Sequence, residues 1–188
     1  LNDVDADRGL NFLSQDIYRV VCARIQQGPG VEPFRCKGNL MSSQPMAFNL
    51  FGPLCLDKDL ATRLLDPLLP GGVSEATVLM EWAPDKKKHL GDSTSFDIAI
   101  KYRTRSGAAA IAGIETKLTE KFTPKIYGVG DTHEPIYRGV ARKSQVWRDP
   151  MENCLTDKRW NQIWRNHLLV ESIRQSEPNL LGSQIVVH

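Results

Sequence analysis

Apolar positions recur at near-helical spacing first between Gln15 and Gln26, where Val20, Val21, Ala23 and Arg24 alternate in character. Gly28-Pro29-Gly30 ends that helix, and residues 31–39, with Pro33 and Gly38, read as loop. Ser42-Ser43 offers an N-cap pair for an apolar stretch through Met46, Phe48, Leu50 and Phe51, which Gly52-Pro53 should interrupt. A further helix is expected over Asp57 to Leu65, with Leu60, Leu64 and Leu65 on one side. The period then shortens. Thr77–Trp82, Ser95–Tyr102 and Ala109–Lys117 read as strands with short connections, predicting an antiparallel meander. Residues 118–136 are irregular, and Ile136 to Trp147 suggests a short helix. Lys158 to Gln175 has the strongest helical pattern, with Trp160, Ile163, Trp164, Leu168 and Ile173 near one face. Residues 184–187 close the chain as a short buried strand. The order is helices, three strands, helix, strand.

At 188 residues, 41% apolar and 24% charged, the chain has the balance of a globular domain able to bury its own core. No apolar run approaches the roughly 18 residues of a membrane span, and no secretory leader is visible, so a cytoplasmic protein is expected. The net charge is only +2, so a polyanion would have to meet a local basic patch. Cys22, Cys36, Cys55 and Cys154 form no Cys-x-x-Cys pair and read as reduced, mostly buried thiols. The four histidines share no ligand spacing, which excludes an ordinary zinc site. Gly128-Val129-Gly130-Asp131 is too short for a dinucleotide loop, and neither a Walker motif nor a Gly-x-Ser-x-Gly elbow is present.

The chemistry concentrates where apolar strands break pattern. Glu115 and Lys117 are two apart on a strand and share a face, and Asp97 interrupts the preceding strand. Each is costly to bury without a partner or a ligand. If Asp97 stands opposite Glu115, paired residue numbers add to 212, the turn centres on Ser106, and Gly107 sits inside it. A slip of one would put Asp97 on the other face. Two adjacent carboxylates attract a hard divalent cation; Mg²⁺, or Mn²⁺ in its place, suits them because it takes oxygen ligands and keeps waters. A neighbouring ammonium can orient or deprotonate an attacking water. That is a working set for phosphodiester hydrolysis. The plain alternative is a salt bridge on an exposed sheet face.

The Asp97 and Glu115-Thr116-Lys117 pattern resembles the PD-(D/E)XK, or restriction endonuclease-like, nuclease superfamily: an Asp on one strand and Glu-x-Lys on the next. The family core also runs helix, three antiparallel strands, helix, strand. The resemblance spans residues 42–188 and leaves residues 1–41 as an N-terminal helical extension of one compact α/β domain. Ser42 to Asn49 and Glu115 to Phe122 are similar to a bacterial branch of restriction endonucleases. Ser95-Phe96 replaces the family's Pro before the Asp, and no acidic residue of the first core helix clearly matches. The resemblance implies a Mg²⁺-dependent deoxyribonuclease. Asp97, Glu115 and the Thr116 carbonyl would hold the metal, and Lys117 would position the water.

Gln44, Glu81 and Gln162 are further site candidates, as is Arg165, and His133 could enter from its loop. Lys86, Lys87, Lys101, Arg103, Arg142 and Lys143 are candidates for contacts to DNA phosphates. A homodimer would allow both strands to be cut. The alternatives from other classes are a catalytically silent nucleic-acid-binding module, an RNA nuclease, and a protein unrelated to nucleic acid whose meander imitates the motif.

Overall fold

The computed structural model describes residues 1–119, 121–122, 125–149 and 156–188. Glu120 and Cys154 lie outside the described residues. The elements in chain order are α1 (Asp3–Asp7), α2 (Gln15–Gln26), α3 (Pro33–Gly38), α4 (Ser43–Leu56) and α5 (Lys58–Leu65). Next come β1 (Glu75–Trp82), β2 (Phe96–Arg103), β3 (Ala109–Thr116), α6 (Glu134–Ser144), α7 (Asn161–Ser176) and β4 (Leu181–Val187). The sheet runs β1-β2-β3-β4, antiparallel through the meander and parallel between β3 and β4. This is the α/β arrangement and element order expected from the sequence. No helix among the described residues is long and apolar enough to cross a membrane.

Helices cover both faces of the sheet. On one face Val78, Met80, Ile98, Ile100, Ala112 and Ile114 bury against α2, α4 and α5, with Ile17, Val21, Val31 and Cys36 from the N-terminal segment in the same core. On the other face Ala99 and Ile111 bury against Tyr137 of α6 and Trp164, Leu168 and Leu169 of α7.

Three local expectations are corrected. Residues 33–38 form a short helix rather than loop, because the Glu32 carboxylate accepts from the amides of Phe34 and Arg35 and Pro33 opens the first turn. Gly52-Pro53 does not break α4, which continues to Leu56. Gly52 lies against Ile17 of α2, where an added methyl would stand 3.2 Å from the Ile17 side chain, so the pair serves close packing and the buried helix face outweighs the lost Pro53 amide. Trp164 is core, but Trp160 is half exposed at the start of α7 rather than on its buried face.

The β2–β3 ladder has the 212 register, from Ile98 opposite Ile114 to Arg103 opposite Ala109. Gly107 takes φ +85° in the turn, a conformation that glycine adopts without strain. The β1–β2 register holds the same offset at Met80–Ile98 and at Trp82–Phe96, but the pair between them, Glu81 and Asp97, is missing from the ladder. Both strands change faces there. Met80 and Ile98 belong to the first core, yet Trp82 and Phe96, two residues away, pack with the second. Simple alternation would have kept them together. Glu81 makes the change on its strand by adopting φ +48°. The Trp82 and Phe96 rings stack at 6.2 Å, and the Phe96 ring occupies the space a side chain at position 113 would need. Gly113→Ala should therefore cost about 1–3 kcal/mol, since its methyl would stand 2.4 Å from the ring. Chemical denaturation of the variant checks this.

Candidate active site

The face change leaves two carboxylates off the ladder, beside the end of β3. The amide and hydroxyl of Thr116 both donate to Asp97 Oδ2, at 2.7 and 2.8 Å. Among the described residues, Asp97 Oδ1 accepts no hydrogen bond. Glu115 is buried and held from three directions. Lys117 Nζ and the Gln162 amide donate to its Oε1, and Asn166 Nδ2 donates to Oε2 at 2.7 Å. Gln162 and Asn166 are one turn apart on α7, so one face of that helix carries both. Lys117 is itself buried, 2.7 Å from Glu115, and its ammonium sits over the Phe122 ring.

Glu81 completes the arrangement from β1. Gln44 Nε2 on α4 donates to its carboxylate at 2.7 Å. Arg24 of α2 donates to the carbonyls of Met80 and Glu81 and to those of Gly28 and Pro29. That clamp holds the backbone in the left-handed conformation, which costs a non-glycine residue on the order of 1–2 kcal/mol.

The structure thus gathers Asp97, Glu115, Lys117, Gln44, Glu81 and Gln162 around one end of the sheet. Arg24, Asn166 and the Thr116 side chain were not singled out from the sequence. The i, i+4 spacing of Gln162 and Asn166 was the signal available for Asn166. For Arg24, bonded to residues 56 and 57 positions away, there was none. Arg165 instead stacks over Tyr127, 4.3 Å from the ring centre. His133 precedes α6 with its ring 3.8 Å from Asp131 and, among the described residues, makes no hydrogen bond to Asp97, Glu115 or Glu81.

Of the basic candidates, Lys101 and Arg103 stand four and six residues along β2 from Asp97, about 13 and 20 Å at strand rise. They do not flank the carboxylates, and Lys101 lies over Trp82. Lys86 and Lys87 are exposed in a single 3-10 turn, and Arg142 and Lys143 are in the last turn of α6. None of the six bonds to the carboxylates.

Burial and mutual repulsion dominate the electrostatics. Burial first, and the Glu115 charge second, push Asp97 up to about 6 against the lowering effect of the two Thr116 bonds. Glu81 is pushed up to about 8, again by burial first and then by Asp97. Of the three carboxylates, Lys117 bonds only Glu115 among the described residues. Among the described residues no three His, Cys, Asp or Glu side chains converge into a complete protein cage for a metal. Oxygen donors with one open Asp97 oxygen would suit a hard divalent cation. Asn166 Oδ1, buried without a partner beside Glu115, is a further acceptor there.

A family model described as PD-(D/E)XK nuclease superfamily matches residues 1–188. No curated protein and no solved structure shows significant similarity to the chain.

The two raised carboxyls set a pH dependence. The folded chain holds these protons more tightly than the unfolded chain does, so the protonated forms contribute stability that is complete below about pH 4. It is lost as pH rises through about 6 for Asp97 and about 8 for Glu81, at about 1.4 kcal/mol for each unit of displacement. Without divalent metal, the melting temperature should fall between pH 5 and pH 8. Glu81→Gln should flatten the upper part of that fall. Thermal unfolding across pH, in chelator, measures both.

Proposed function

From the premise that the chain belongs to the PD-(D/E)XK nuclease superfamily, we propose that it is a Mg²⁺-dependent deoxyribonuclease of the restriction type, with Asp97, Glu115 and Lys117 as its catalytic residues. The observation that carries this reading is the convergence of Asp97, Glu115 and Lys117 at one sheet end with one oxygen of Asp97 unengaged.

In this reading Asp97, Glu115 and the Thr116 carbonyl would hold the cation. When bound, it supplies a lowered pKa for a coordinated water and charge stabilisation at the phosphate. Thr116 contributes twice. Its carbonyl would be one ligand, and its amide and hydroxyl fix Asp97 Oδ2 so that the other oxygen stays free. Gln162 and Asn166 hold Glu115 in a single orientation, as second partners commonly do for metal-ligating carboxylates. Lys117 is bonded to Glu115 at the site. There its ammonium can orient the attacking water and balance the charge that develops on the phosphorane-like transition state. Glu81, restrained by Gln44, stands near enough to Asp97 for their charges to repel, so in the metal-free chain it keeps its proton up to about pH 8.

DNA is the substrate proposed because the fold family is compatible with a duplex and exposed cations stand outside the site: Lys86, Lys87, Arg142 and Lys143 serve as outer phosphate contacts, whereas Lys101 and Arg103 lie among acidic neighbours and are not among them. Two copies acting together would allow both strands to be cut, and a cytoplasmic location is in keeping with the reading.

Calorimetric titration with Mg²⁺ or Mn²⁺ should show millimolar or tighter binding by the wild type and none by Asp97→Ala. Lys117→Ala should keep its fold, by circular dichroism, and lose at least 100-fold in cleavage of a plasmid or mixed-sequence DNA. Cleavage at the wild-type rate by Lys117→Ala would refute the mechanism.

A further inference from the structure

Beside the carboxylate site, on the far side of Lys117, lies a cleft of about 600 Å³. Its lining includes Lys117, Lys121, Phe122, Lys158, Arg159 and His188, and no described side chain lining it is acidic. Lys117 belongs to both places: its ammonium bonds Glu115 on one side and stands 5.5 Å from the centre of the Phe122 ring on the other. Arg159 is tied to Asp157 at 3.0 Å, but Lys121 and Lys158 make no ion pair with any described residue. The cations come from two separate segments, the chain just after β3 and the turn just before α7. Folding has therefore placed like charges together, an arrangement that costs repulsion unless an anion spans it.

The larger groove over the β1–β3 face differs in kind. There Lys88, Lys101 and Arg103 are interleaved with Glu75, Asp85 and Glu177, and Lys101 is occupied by Trp82. That mixture suits no polyanion. The cleft beside Lys117 combines two lysines that have no ion pair among the described residues with a half-buried aromatic ring, the pairing by which single strands of nucleic acid are held: phosphate on ammonium, base on ring face.

We propose that this cleft is the strand-holding subsite of the enzyme, taking the nucleotide next to the phosphodiester to be cut, with its phosphate on Lys121 and Lys158 and its base against Phe122. The proposal rests on the nuclease reading above and assigns it a substrate contact. Lys117 then couples the two places, since a strand seated on Phe122 must pass its ammonium to reach the carboxylates. Phe122 and the two lysines are positioning residues.

The test is binding of a fluorescein-labelled single-stranded DNA oligonucleotide to the full chain, by anisotropy over a range of salt concentrations in chelator, where no Mg²⁺ supports cutting. Cleavage of plasmid DNA in Mg²⁺ is scored in parallel. Lys121→Ala combined with Lys158→Ala should lower the slope of log affinity against log salt by about 1.4, about 0.7 for each lost phosphate contact to a single strand. Phe122→Leu should weaken binding about 5- to 150-fold without changing that slope, and Phe122→Trp should restore it. Melting temperatures of the variants within a few degrees of wild type separate these losses from misfolding. Wild-type cleavage together with an unchanged slope in the double variant would overturn the subsite and leave the nuclease reading standing. Neither binding nor cleavage by the wild type would overturn both.

Discussion

The candidate site depends on one constraint: β1 and β2 both change faces at the same step, between Met80–Ile98 and Trp82–Phe96, without losing register. A bulge would have shifted every later pair. Instead Glu81 takes a left-handed backbone and the Glu81–Asp97 pair leaves the ladder. The stacked Trp82 and Phe96 rings hold the reversed ends on one side, and Arg24 holds the Glu81 carbonyl on the other. With Asp97 released from ladder geometry, its carboxylate can reach the Thr116 amide and hydroxyl at the end of β3. The site is thus built from a local fault in an otherwise regular meander, supported from both helical layers.

The same fault sets the energetics. Three carboxylates are drawn together in poorly solvated surroundings with one ammonium beside them, and two of them hold protons well above their ordinary range as a result. Folding accepts this cost because each layer returns hydrogen bonds: Gln44 from α4 to Glu81, Gln162 and Asn166 from α7 to Glu115, and Thr116 within the sheet to Asp97. A divalent cation would relieve the remaining repulsion. In this arrangement metal binding and stability are linked, as expected wherever a ligand binds only the folded state.

Elements and register were largely legible in the chain. Alternation of apolar residues located the four strands to within a few residues, and a turn around Ser106 and Gly107 made the 212 register the one that kept Asp97, Glu115 and Lys117 near one another. Capping and breaking signals were less dependable. Pro53 sits inside α4, and Pro33 begins a helix instead of belonging to a loop, because burial and side-chain caps decide such local preferences. Trp160 shows the same limit, since helical spacing identifies a stripe but not the turn at which the neighbouring layer ends.

By itself the sequence determined the α/β order and the charged positions Asp97, Glu115 and Lys117 that an apolar sheet could not bury without purpose, and it tied their meeting to one β2–β3 register. These are properties of local period and of side-chain chemistry, which a linear chain carries directly. Only the tertiary structure decided how the charges are held. Arg24 meets Glu81 across 57 residues, Asn166 meets Glu115 across 51, and Lys121 meets Lys158 across a cleft formed by two unconnected segments. Such contacts have no period and no motif. They arise when packed layers bring distant segments together, and the reversal of strand faces at Glu81 and Asp97 follows from ring packing over Gly113 that no pattern along the chain records.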